Sequence, residues 1–281
     1  MGTLHVVATP IGNLDDVTLR ALRVLGEVDL LFAEDTRRTR ILLERHQVRA
    51  RPVSLHAHNE AARIQQALEA LRGDGNVALV SDAGTPLVCD PGERLVAAAI
   101  ADGHCVEAVP GASAVLTALA VSGLSVLPFT FLGYLPRRSS ARRRFLQNYR
   151  DRAETLVCFE TPHRIASSLG SLLEILGDRR ACVARELTKL HEEVVRGSLT
   201  DLAEHFAQKP RGELTLVIEG CSATSEEATW SWEEVEAEIR GLAADGQRPR
   251  EIAPALARIS GRPRSEIYAR AVAVVNEDTD E

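Results

Sequence analysis

Short apolar runs alternate with helical patterns through the first 113 residues, and this alternation restricts the chain to few architectures. The runs lie at residues 4–8, 30–33, 53–55, 77–80 and 105–109. Between them apolar residues recur at helical spacing, as at positions 61, 64, 68 and 71. Asp16 is predicted to cap the first of these helices, which bears Leu19, Leu22 and Leu25. Strands that alternate with helices form βαβ units, so we predict an α/β fold with a largely parallel sheet.

A second series of predicted strands follows at residues 129–132, 155–159, 181–184, 193–196 and 214–218. Helical patterns separate several of them, and Ser198 with Asp201 predicts a capping box before one helix. Beyond residue 220 a polar stretch leads to three predicted helices, at 234–244, 250–259 and 264–275. We therefore predict two α/β domains, a linker and a helical module, with the bounds 1–113, 114–220, 221–229 and 230–281.

The composition is that of a folded protein with an aliphatic core. Apolar residues make up 45% of the 281 positions and aromatic residues 4%, which is typical of buried strands and their covering helices. The five cysteines stand far apart with no C-x-x-C pair, which indicates reduced thiols. No export signal is visible, and polar and proline positions divide the apolar stretch 114–135. We predict a cytoplasmic protein with no membrane span.

One loop has the residue types of a ligand-binding turn. Ser81 to Pro86, Ser-Asp-Ala-Gly-Thr-Pro, follows an apolar run and precedes a helix predicted to begin at Asp90 and Pro91. Its glycine lets main chain approach a ligand closely, and Asp82 offers a carboxylate to hydroxyl groups or a cation. The loop leaves the carboxyl end of a predicted strand, where open parallel sheets bind ligands.

Three Thr-Pro pairs mark the same edge of the predicted sheets. Thr9-Pro10, Thr85-Pro86 and Thr161-Pro162 each follow a predicted strand. Proline stiffens such a loop and ends the strand ladder. We expect these loops to form the rim of a shared cleft.

The charge is unevenly distributed along the chain. A formal net charge of −7 disfavours a nucleic-acid partner, yet residues 137–152 contain seven arginines and one acidic residue. Guanidinium groups bind phosphate oxygens bidentately and stack on bases, so this arginine strip favours RNA, with a solvated helix face as the alternative. The candidate RNA contacts in the strip are Arg137, Arg138, Arg142, Arg143 and Arg144. Tyr134 is a candidate for stacking, whereas core packing is expected of Phe131 and Phe145.

Six ordered motifs carry a resemblance to a known family. They are Thr9-Pro10-Ile11-Gly12-Asn13-Leu14, Glu34-Asp35-Thr36-Arg37, Ser81-Asp82-Ala83-Gly84-Thr85-Pro86 with Asp90-Pro91-Gly92, Pro110-Gly111-Ala112-Ser113, Phe159-Glu160-Thr161-Pro162-His163-Arg164 and Arg185-Glu186-Leu187-Thr188-Lys189. Together, over about residues 4–220, they resemble the small-subunit ribosomal RNA methyltransferases of the tetrapyrrole methylase superfamily. The C-terminal helices are similar to that family's small extra domain.

The resemblance implies S-adenosylmethionine as methyl donor, bound in a cleft between two α/β domains of a homodimer. The implied reaction is 2′-O-methylation of a cytidine in the decoding region of 16S rRNA. The implied cofactor-binding residues are Pro10, Asp82, Ala83, Gly84, Thr85, Gly111, Ala112 and Ser113. For Ser113 a helix-capping role is an equal alternative, and His163 and Arg164 are expected either to hold a substrate phosphate or to serve in core and capping roles.

Methyl transfer to a ribose hydroxyl is an in-line displacement, in which alignment contributes most of the acceleration and a base adds less. The candidates for a catalytic role are Glu34, Asp35, Glu160 and the set Glu186, Lys189 and Glu192, whose spacing of three places them on one side of a helix if the segment is helical. We hypothesise that Lys189, its pKa lowered by burial, or one of the carboxylates contacts the 2′-hydroxyl. The alternative is that these groups form structural ion pairs beside the cleft.

Two other functions remain open on the sequence. A small-molecule methylase acting on a porphyrin-like acid would keep the cofactor loops, and a non-catalytic RNA-binding protein would use the arginines without a preformed cleft. The first strand is not followed by a G-x-G-x-x-G fingerprint, which disfavours nicotinamide and flavin enzymes. No metal site is predicted, since His56 and His58 have Glu60 as their one near acidic neighbour.

Overall fold

The computed structural model describes residues 2–56, 59–208, 210–221 and 230–277. The chain divides into two compact units, Met1–Gly220 and Cys221–Glu281. The first unit contains two five-stranded sheets, and the second is helical. The predicted division of the first unit at residue 113 stays a prediction.

The first sheet is wholly parallel, with the strand order β3-β2-β4-β1-β5. Its strands are β1 (Thr3–Val7), β2 (Leu30–Ala33), β3 (Pro52–Ser54), β4 (Val77–Val80) and β5 (Cys105–Val109). The helices between them are α1 (Leu19–Glu27), α2 (Thr36–Arg45), α3 (Glu60–Arg72) and α4 (Glu93–Ala101). All five predicted strands of this part are confirmed.

Each face of this sheet carries its own core. Leu25 and Leu43 from α1 and α2 pack against one face, and Leu71 and Leu95 from α3 and α4 pack against the other. The prediction that Asp16 caps α1 is wrong. Asp16 lies in a short 3-10 turn, and the Thr18 hydroxyl accepts from the N of Ala21 instead.

The second sheet is mixed, with the order β6-β7-β10-β8-β9, in which β6 and β7 are parallel and the other pairs antiparallel. Its strands are β6 (Phe129–Tyr134), β7 (Thr155–Glu160), β8 (Arg180–Arg185), β9 (Glu193–Ser198) and β10 (Leu214–Ile218). The helices are α5 (Ala114–Ser122), α6 (Ser139–Gln147), α7 (Ile165–Leu176) and α8 (Leu199–His205). The five predicted strands and the capping box of α8 are confirmed.

One apolar cluster joins the two sheets. Ile11, in the loop after β1, packs with Val115 and Leu119 of α5 and with Val157 and Val217 of the second sheet. The loops at the carboxyl edge of the first sheet are thereby held against the second sheet, which creates the space described below.

The helical unit consists of α9 (Trp232–Ala244), α10 (Pro249–Ser260) and α11 (Arg264–Glu277), which confirms the three predicted helices. Val235, Ile252 and Ile267 are fully buried between them. The guanidinium carbons of Arg262 and Arg270 lie 4.8 and 3.9 Å from the ring centroid of Trp232. All of the predicted linker except its first residue lies outside the described part of the chain.

Candidate active site

A cleft lies where the carboxyl edge of the first sheet faces the second sheet. It consists of two adjoining cavities with volumes of about 290 and 250 Å³. The cavities share the residues Ile11, Arg38, Asp82, Ala83 and Glu213. Glu213 directly precedes β10 of the second sheet, and the other four lie in loops or a helix that follow strands of the first sheet. Both sheets therefore contribute to one continuous site, at the edge where parallel sheets bind ligands.

Reciprocal hydrogen bonds between two loops form the floor of the cleft. The N of Thr9 donates to the O of Gly84 at 2.9 Å, and the N of Gly84 donates to the O of Thr9 at 3.0 Å. Gly84 has a φ of +81°, a conformation that favours glycine. The Ser81 hydroxyl donates to the O of Gly84 at 3.3 Å. These contacts fix both loops within the protein itself.

Most of the predicted cofactor residues line this cleft, namely Pro10, Asp82, Ala83, Gly84, Thr85 and Ser113. Gly111 and Ala112 lie beside it, and a Cβ on Gly111 would stand 3.0 Å from the Cβ of Ala8. Ser113 also caps α5, since its hydroxyl accepts from the N of Leu116 at 3.5 Å. The capping role of Ser113 is therefore confirmed, and its cofactor role, on the side of the residue that lines the cleft, stays a prediction.

Three carboxylates, those of Glu34, Asp82 and Asp90, gather at one end of the cleft. Burial raises the pKa of Asp90 to about 6; a hydrogen bond from Ser81 opposes the rise and the charge of Asp82 adds to it. Burial likewise raises the pKa of Glu34, with repulsion from Asp90 and Asp82. A cationic ligand would relieve this repulsion, so this end of the cleft favours positive charge.

The prediction that Asp90 begins a helix is wrong. The helix α4 begins at Glu93, behind Gly92 with a φ of +119°. Leu87 and Cys89 also have positive φ values, 74° and 70°, which is strained for residues with a side chain. This bent path brings Asp90 into the cleft instead of to the helix terminus.

Lys189 lies at the other end of the cleft, in a turn and not in the helix that its spacing with Glu186 and Glu192 had suggested. Its Nζ donates to Glu186 at 2.8 Å and to Glu213 at 2.9 Å. Partial burial lowers the pKa of Lys189, but the two carboxylates together outweigh burial and raise it. The hypothesis of a lysine with a lowered pKa is wrong, and the amine is protonated at neutral pH.

The turn that holds this lysine is fixed from several directions. Glu186 and Thr188 have positive φ values of 51° and 65°. Glu192 accepts from the N of Thr188 at 2.6 Å, and the Thr188 hydroxyl accepts from the N of Asn13 at 2.9 Å. A Cβ on Gly12 would lie 2.5 Å from the lysine Cγ. Contacts from the first sheet's loop thus set the position of a side chain from the second.

Glu160 and Arg164 are engaged with each other and with the second sheet. The Glu160 carboxylate accepts from the Ser168 hydroxyl at 2.5 Å and from the N of Thr161 at 2.8 Å, and it lies 3.3 Å from Nε of Arg164. Arg164 also donates to the O of Leu135. Arg164 thus fits the core and capping alternative, because it lies at the N-cap of α7 and in an internal ion pair. Both Glu160 oxygens have protein partners, which fits the structural alternative for this residue.

Asp35 is the N-cap of α2. Its carboxylate accepts from the N of Arg37 at 2.9 Å and pairs with that guanidinium at 2.6 Å. The hydrogen bonds from Arg37 hold the pKa of Asp35 well below its ordinary value. The N of Asp35 donates to Oδ1 of Asp82 at 2.8 Å, so the residue positions the cleft loop. Its predicted catalytic role stays a prediction.

The arginine strip runs from just before α6 to just after it, and its exposed members are Arg137, Arg138, Arg143, Arg144, Arg150 and Arg152. The nearby His163 is exposed as well. Nε of Arg143 lies 2.8 Å from the Glu174 carboxylate. Arg142 is 3% exposed and donates to the Ser171 hydroxyl at 3.0 Å and to the O of Ser167 at 2.8 Å. The prediction of an RNA contact at Arg142 is therefore wrong, because this position of α6 faces α7.

The sequence motifs assign no cofactor or catalytic role to three further residues that line the cleft, Tyr134, Phe159 and Glu213. The ring centroids of Tyr134 and Phe159 are 5.6 Å apart, and the two form an aromatic wall. Glu213 follows Gly212, where a Cβ would lie 2.3 Å from Cδ of Glu186. The sequence signal that could have identified two of them is their position, since Phe159 ends one predicted strand and Glu213 directly precedes another.

Among the described residues, no group of three or more His, Cys, Asp or Glu side chains is arranged to hold a metal ion. The predicted absence of a metal site stays a prediction, and His58 lies outside the described part. No described helix is long and apolar enough to cross a membrane.

The chain is similar to known methyltransferases along most of its length. The family model for tetrapyrrole (corrin/porphyrin) methylases matches residues 3–203. The ribosomal RNA small subunit methyltransferase I of Thermotoga maritima is 46% identical over 78% of this chain and 99% of its own length. The protein of that name from Halalkalibacterium halodurans is 42% identical over 95% of this chain and 93% of its own.

A solved structure has the same fold. The uroporphyrin-III C-methyltransferase of Thermus thermophilus, in complex with S-adenosylhomocysteine, superposes with a TM-score of 0.54 at 20% identity. The superposition covers 77% of this chain and 97% of that protein. At this identity the likeness concerns the fold.

Proposed function

The chain belongs to the tetrapyrrole methylase family, and on that premise we propose that it transfers a methyl group from S-adenosylmethionine to the RNA of the small ribosomal subunit. The finer proposal is 2′-O-methylation of a cytidine in the decoding region of 16S rRNA. The cleft at the carboxyl edge of the first sheet is the observation that carries the proposal, and the names of the relatives support the substrate.

The residues of the cleft fit the donor. S-adenosylmethionine supplies an electrophilic methyl group on a positively charged sulfur. Glu34, Asp82 and Asp90 would hold its cationic amino acid part or its ribose hydroxyls, and Ile11 with Val115 would form an apolar slot for adenine. The fixed carbonyl and amide groups of the cleft loops add polar contacts without a base directed at the sulfur.

Alignment is the main contribution expected from the protein. Well-oriented groups gain up to about 7–11 kcal/mol over free reactants, whereas a general base adds about 10²–10⁴-fold. We place the acceptor ribose beside Lys189, whose protonated amine would hold an oxygen. Glu213, 62% exposed on its side chain, would accept the hydroxyl proton. These two side chains touch at 2.9 Å, so one ribose hydroxyl can reach both.

RNA recognition is assigned to exposed cations near the cleft. The exposed arginines of the strip and His163 would contact phosphates of the structured substrate, and Arg142 and Arg164 have no part in this. We also propose a homodimer, to whose interface the exposed apolar side chains of Leu116, Val126 and Leu127 are available. A cytoplasmic location follows from the ribosomal substrate.

Radiolabelled methyl transfer tests the proposal. Purified protein is incubated with labelled S-adenosylmethionine and either isolated small subunits or free 16S rRNA. We expect label in the RNA, recovered as a 2′-O-methylated cytidine after digestion. An Asp82→Asn, Asp90→Asn variant, predicted to lose donor binding, is the control for cleft-dependent transfer.

Other results would select the other functions. Tight RNA binding with no incorporation would indicate a non-catalytic RNA-binding protein. Transfer to a porphyrin-like acid, with none to RNA, would indicate a small-molecule methylase. Label in a base instead of a ribose would retain the RNA substrate and reject the 2′-hydroxyl.

A further inference from the structure

A groove continues the cleft toward the protein surface. A third cavity of about 550 Å³ lies between the loop 12–15 and the turn 188–190. It shares Gly12, Leu14 and Lys189 with the cleft. A molecule that occupies this groove therefore passes Lys189 on its way to the donor site.

One face of α2 follows the same route. Arg38, Ile41 and Arg45 are three and four positions apart, the spacing of one helix face. Arg38 and Ile41 line the cleft, and Arg45 lines the groove. The two arginines are separated by about 10 Å along the helix axis, so they can bracket one nucleotide instead of sharing one phosphate.

The opposite wall of the groove presents an unusual apolar side chain. Leu190 is 92% exposed, although it directly follows Lys189. Its turn is fixed by the strained backbone and by the hydrogen bond between Asn13 and Thr188. An exposed leucine on a fixed turn, beside a groove lined by Arg45 and Lys189, has the character of the apolar wedges that nucleic-acid-binding proteins insert between bases.

We propose that this groove, formed by α2, the loop 12–15 and the turn 188–190, guides the substrate RNA strand into the cleft. Arg45 contacts a phosphate next to the target nucleotide, and Leu190 inserts beside its base to separate it from its neighbour. The inference rests on the proposed function and adds an RNA contact separate from the arginine strip. Both are positioning residues.

The electrostatics of the groove favour an RNA strand as the occupant. Arg45 lies 3.3 Å from the Asp15 carboxylate, but both side chains are more than half exposed. Such an ion pair contributes little stability and is readily exchanged for a phosphate. The Arg38 Nε lies 3.7 Å from the Asp82 carboxylate, and its side chain is 58% exposed. The cations are thus available, with an apolar floor at Leu14 for a base.

Variants at two positions test the groove in the full-length protein with isolated small subunits. Arg45→Gln is expected to raise KM about five- to tenfold and to reduce the salt dependence of subunit binding by about one phosphate contact. Leu190→Ala is expected to lower kcat/KM about tenfold, and Leu190→Met to restore it. Affinity for S-adenosylmethionine, measured by calorimetry, is expected to stay within twofold.

Matched controls lie away from the groove. Arg49→Gln removes the same charge at an exposed site just before β3, and Ile100→Ala removes an apolar side chain that is 60% exposed on α4. If Arg45→Gln and Leu190→Ala behave like these controls while the unmodified protein methylates subunits, the groove inference is overturned. If the unmodified protein methylates no RNA, the proposed function itself has failed.

Discussion

At the scale of single residues, the charge state of Lys189 decides its chemistry. A lysine held between two carboxylates stays protonated and so serves to hold an oxygen, not to remove a proton. We predict that Lys189→Ala lowers kcat about a hundredfold, the loss expected when a donor that holds a reacting oxygen is removed. Single-turnover methylation of small subunits measures this effect.

The matched variant for this test is Lys189→Arg. It keeps the charge between Glu186 and Glu213, so it is expected to retain more activity than Lys189→Ala. The affinity for S-adenosylmethionine is expected to change less than threefold in both variants, because the donor's cationic amino acid part is held by Glu34, Asp82 and Asp90 at the other end of the cleft. Unchanged turnover in Lys189→Ala would eliminate the lysine from the reaction.

Asp90 predicts a pH dependence of donor binding. Its pKa in the folded protein is raised from 3.8 to about 6. A cationic donor favours the ionised carboxylate, so affinity for S-adenosylmethionine is expected to fall as the pH decreases through about 6. Calorimetric titration between pH 5 and pH 8 measures this.

The comparison ligand is S-adenosylhomocysteine, which lacks the sulfonium charge but keeps the ammonium group and the ribose proposed to lie beside these carboxylates, so it is expected to show a similar pH dependence. Asp90→Asn should flatten the pH dependence of donor binding. The stability of the ligand-free protein has the opposite pH dependence. The folded protein retains the proton that an unfolded aspartate releases near pH 4. Asp90 therefore makes the ligand-free protein less stable as the pH rises from about 4 to 6. If the affinity of Asp90→Asn for S-adenosylmethionine still falls steeply as the pH decreases through about 6, Asp90 is not the group responsible for the pH dependence.

At the scale of elements, the arginines on and just before α6 differ in their expected roles, because some are exposed and Arg142 is buried. Arg137→Gln, Arg138→Gln and Arg144→Gln together are predicted to weaken RNA binding about tenfold or more at moderate salt. The slope of log affinity against log salt should fall by about two to three, since three phosphate contacts are lost. Filter binding with small subunits at several salt concentrations measures both.

Arg142→Gln is the contrasting variant on the same helix. It removes buried hydrogen bonds to Ser171 and Ser167, so it is expected to destabilise the protein by about 1–3 kcal/mol while the folded fraction binds RNA normally. Equal loss of RNA affinity in this variant and in the triple variant would show that the strip acts through stability and not through contact.

Elements were more predictable than the details of their ends. The ten predicted strands match strands of the described structure, because a strand buried on both faces leaves a short continuous apolar run in the sequence, as at β4 and β10. The predicted starts of α1 and α4 are wrong, because Asp16 and Thr18 are both good caps and because the φ of +119° at Gly92 excludes a helix that starts at Asp90. The sequence pattern does not specify the backbone dihedral angles that decide where these helices begin.

At the scale of the whole molecule, topology explains why the cleft position was predictable and its ion pairs were not. Loops at carboxyl ends of parallel strands must share an edge, which places Asp82 and Thr85 near Pro10. Glu213 reaches Glu186 and Lys189 because β10 lies beside β8, and no periodicity in the sequence specifies that order. The buried orientation of Arg142 likewise depends on how α7 packs.

The division into two units predicts that residues 1–220 fold without the helical unit. The unit 221–281 has its own apolar core around Ile239, Leu256 and Ala271. The Thermotoga maritima relative supports the division, because 99% of that protein aligns over 221 residues and leaves no length for a unit of this kind.

A fragment ending at Gly220 is therefore expected to unfold cooperatively and to bind S-adenosylmethionine within threefold of the full chain, since every cleft residue lies before that point. Calorimetry of the full chain should show a separate transition that the fragment lacks. Fragment 1–220 also separates the roles of the two units: its affinity for small subunits reports what the arginine strip and groove contribute, and the difference from the full chain is the share of the helices. A fragment that loses donor binding while remaining folded would contradict a cleft built from the first unit.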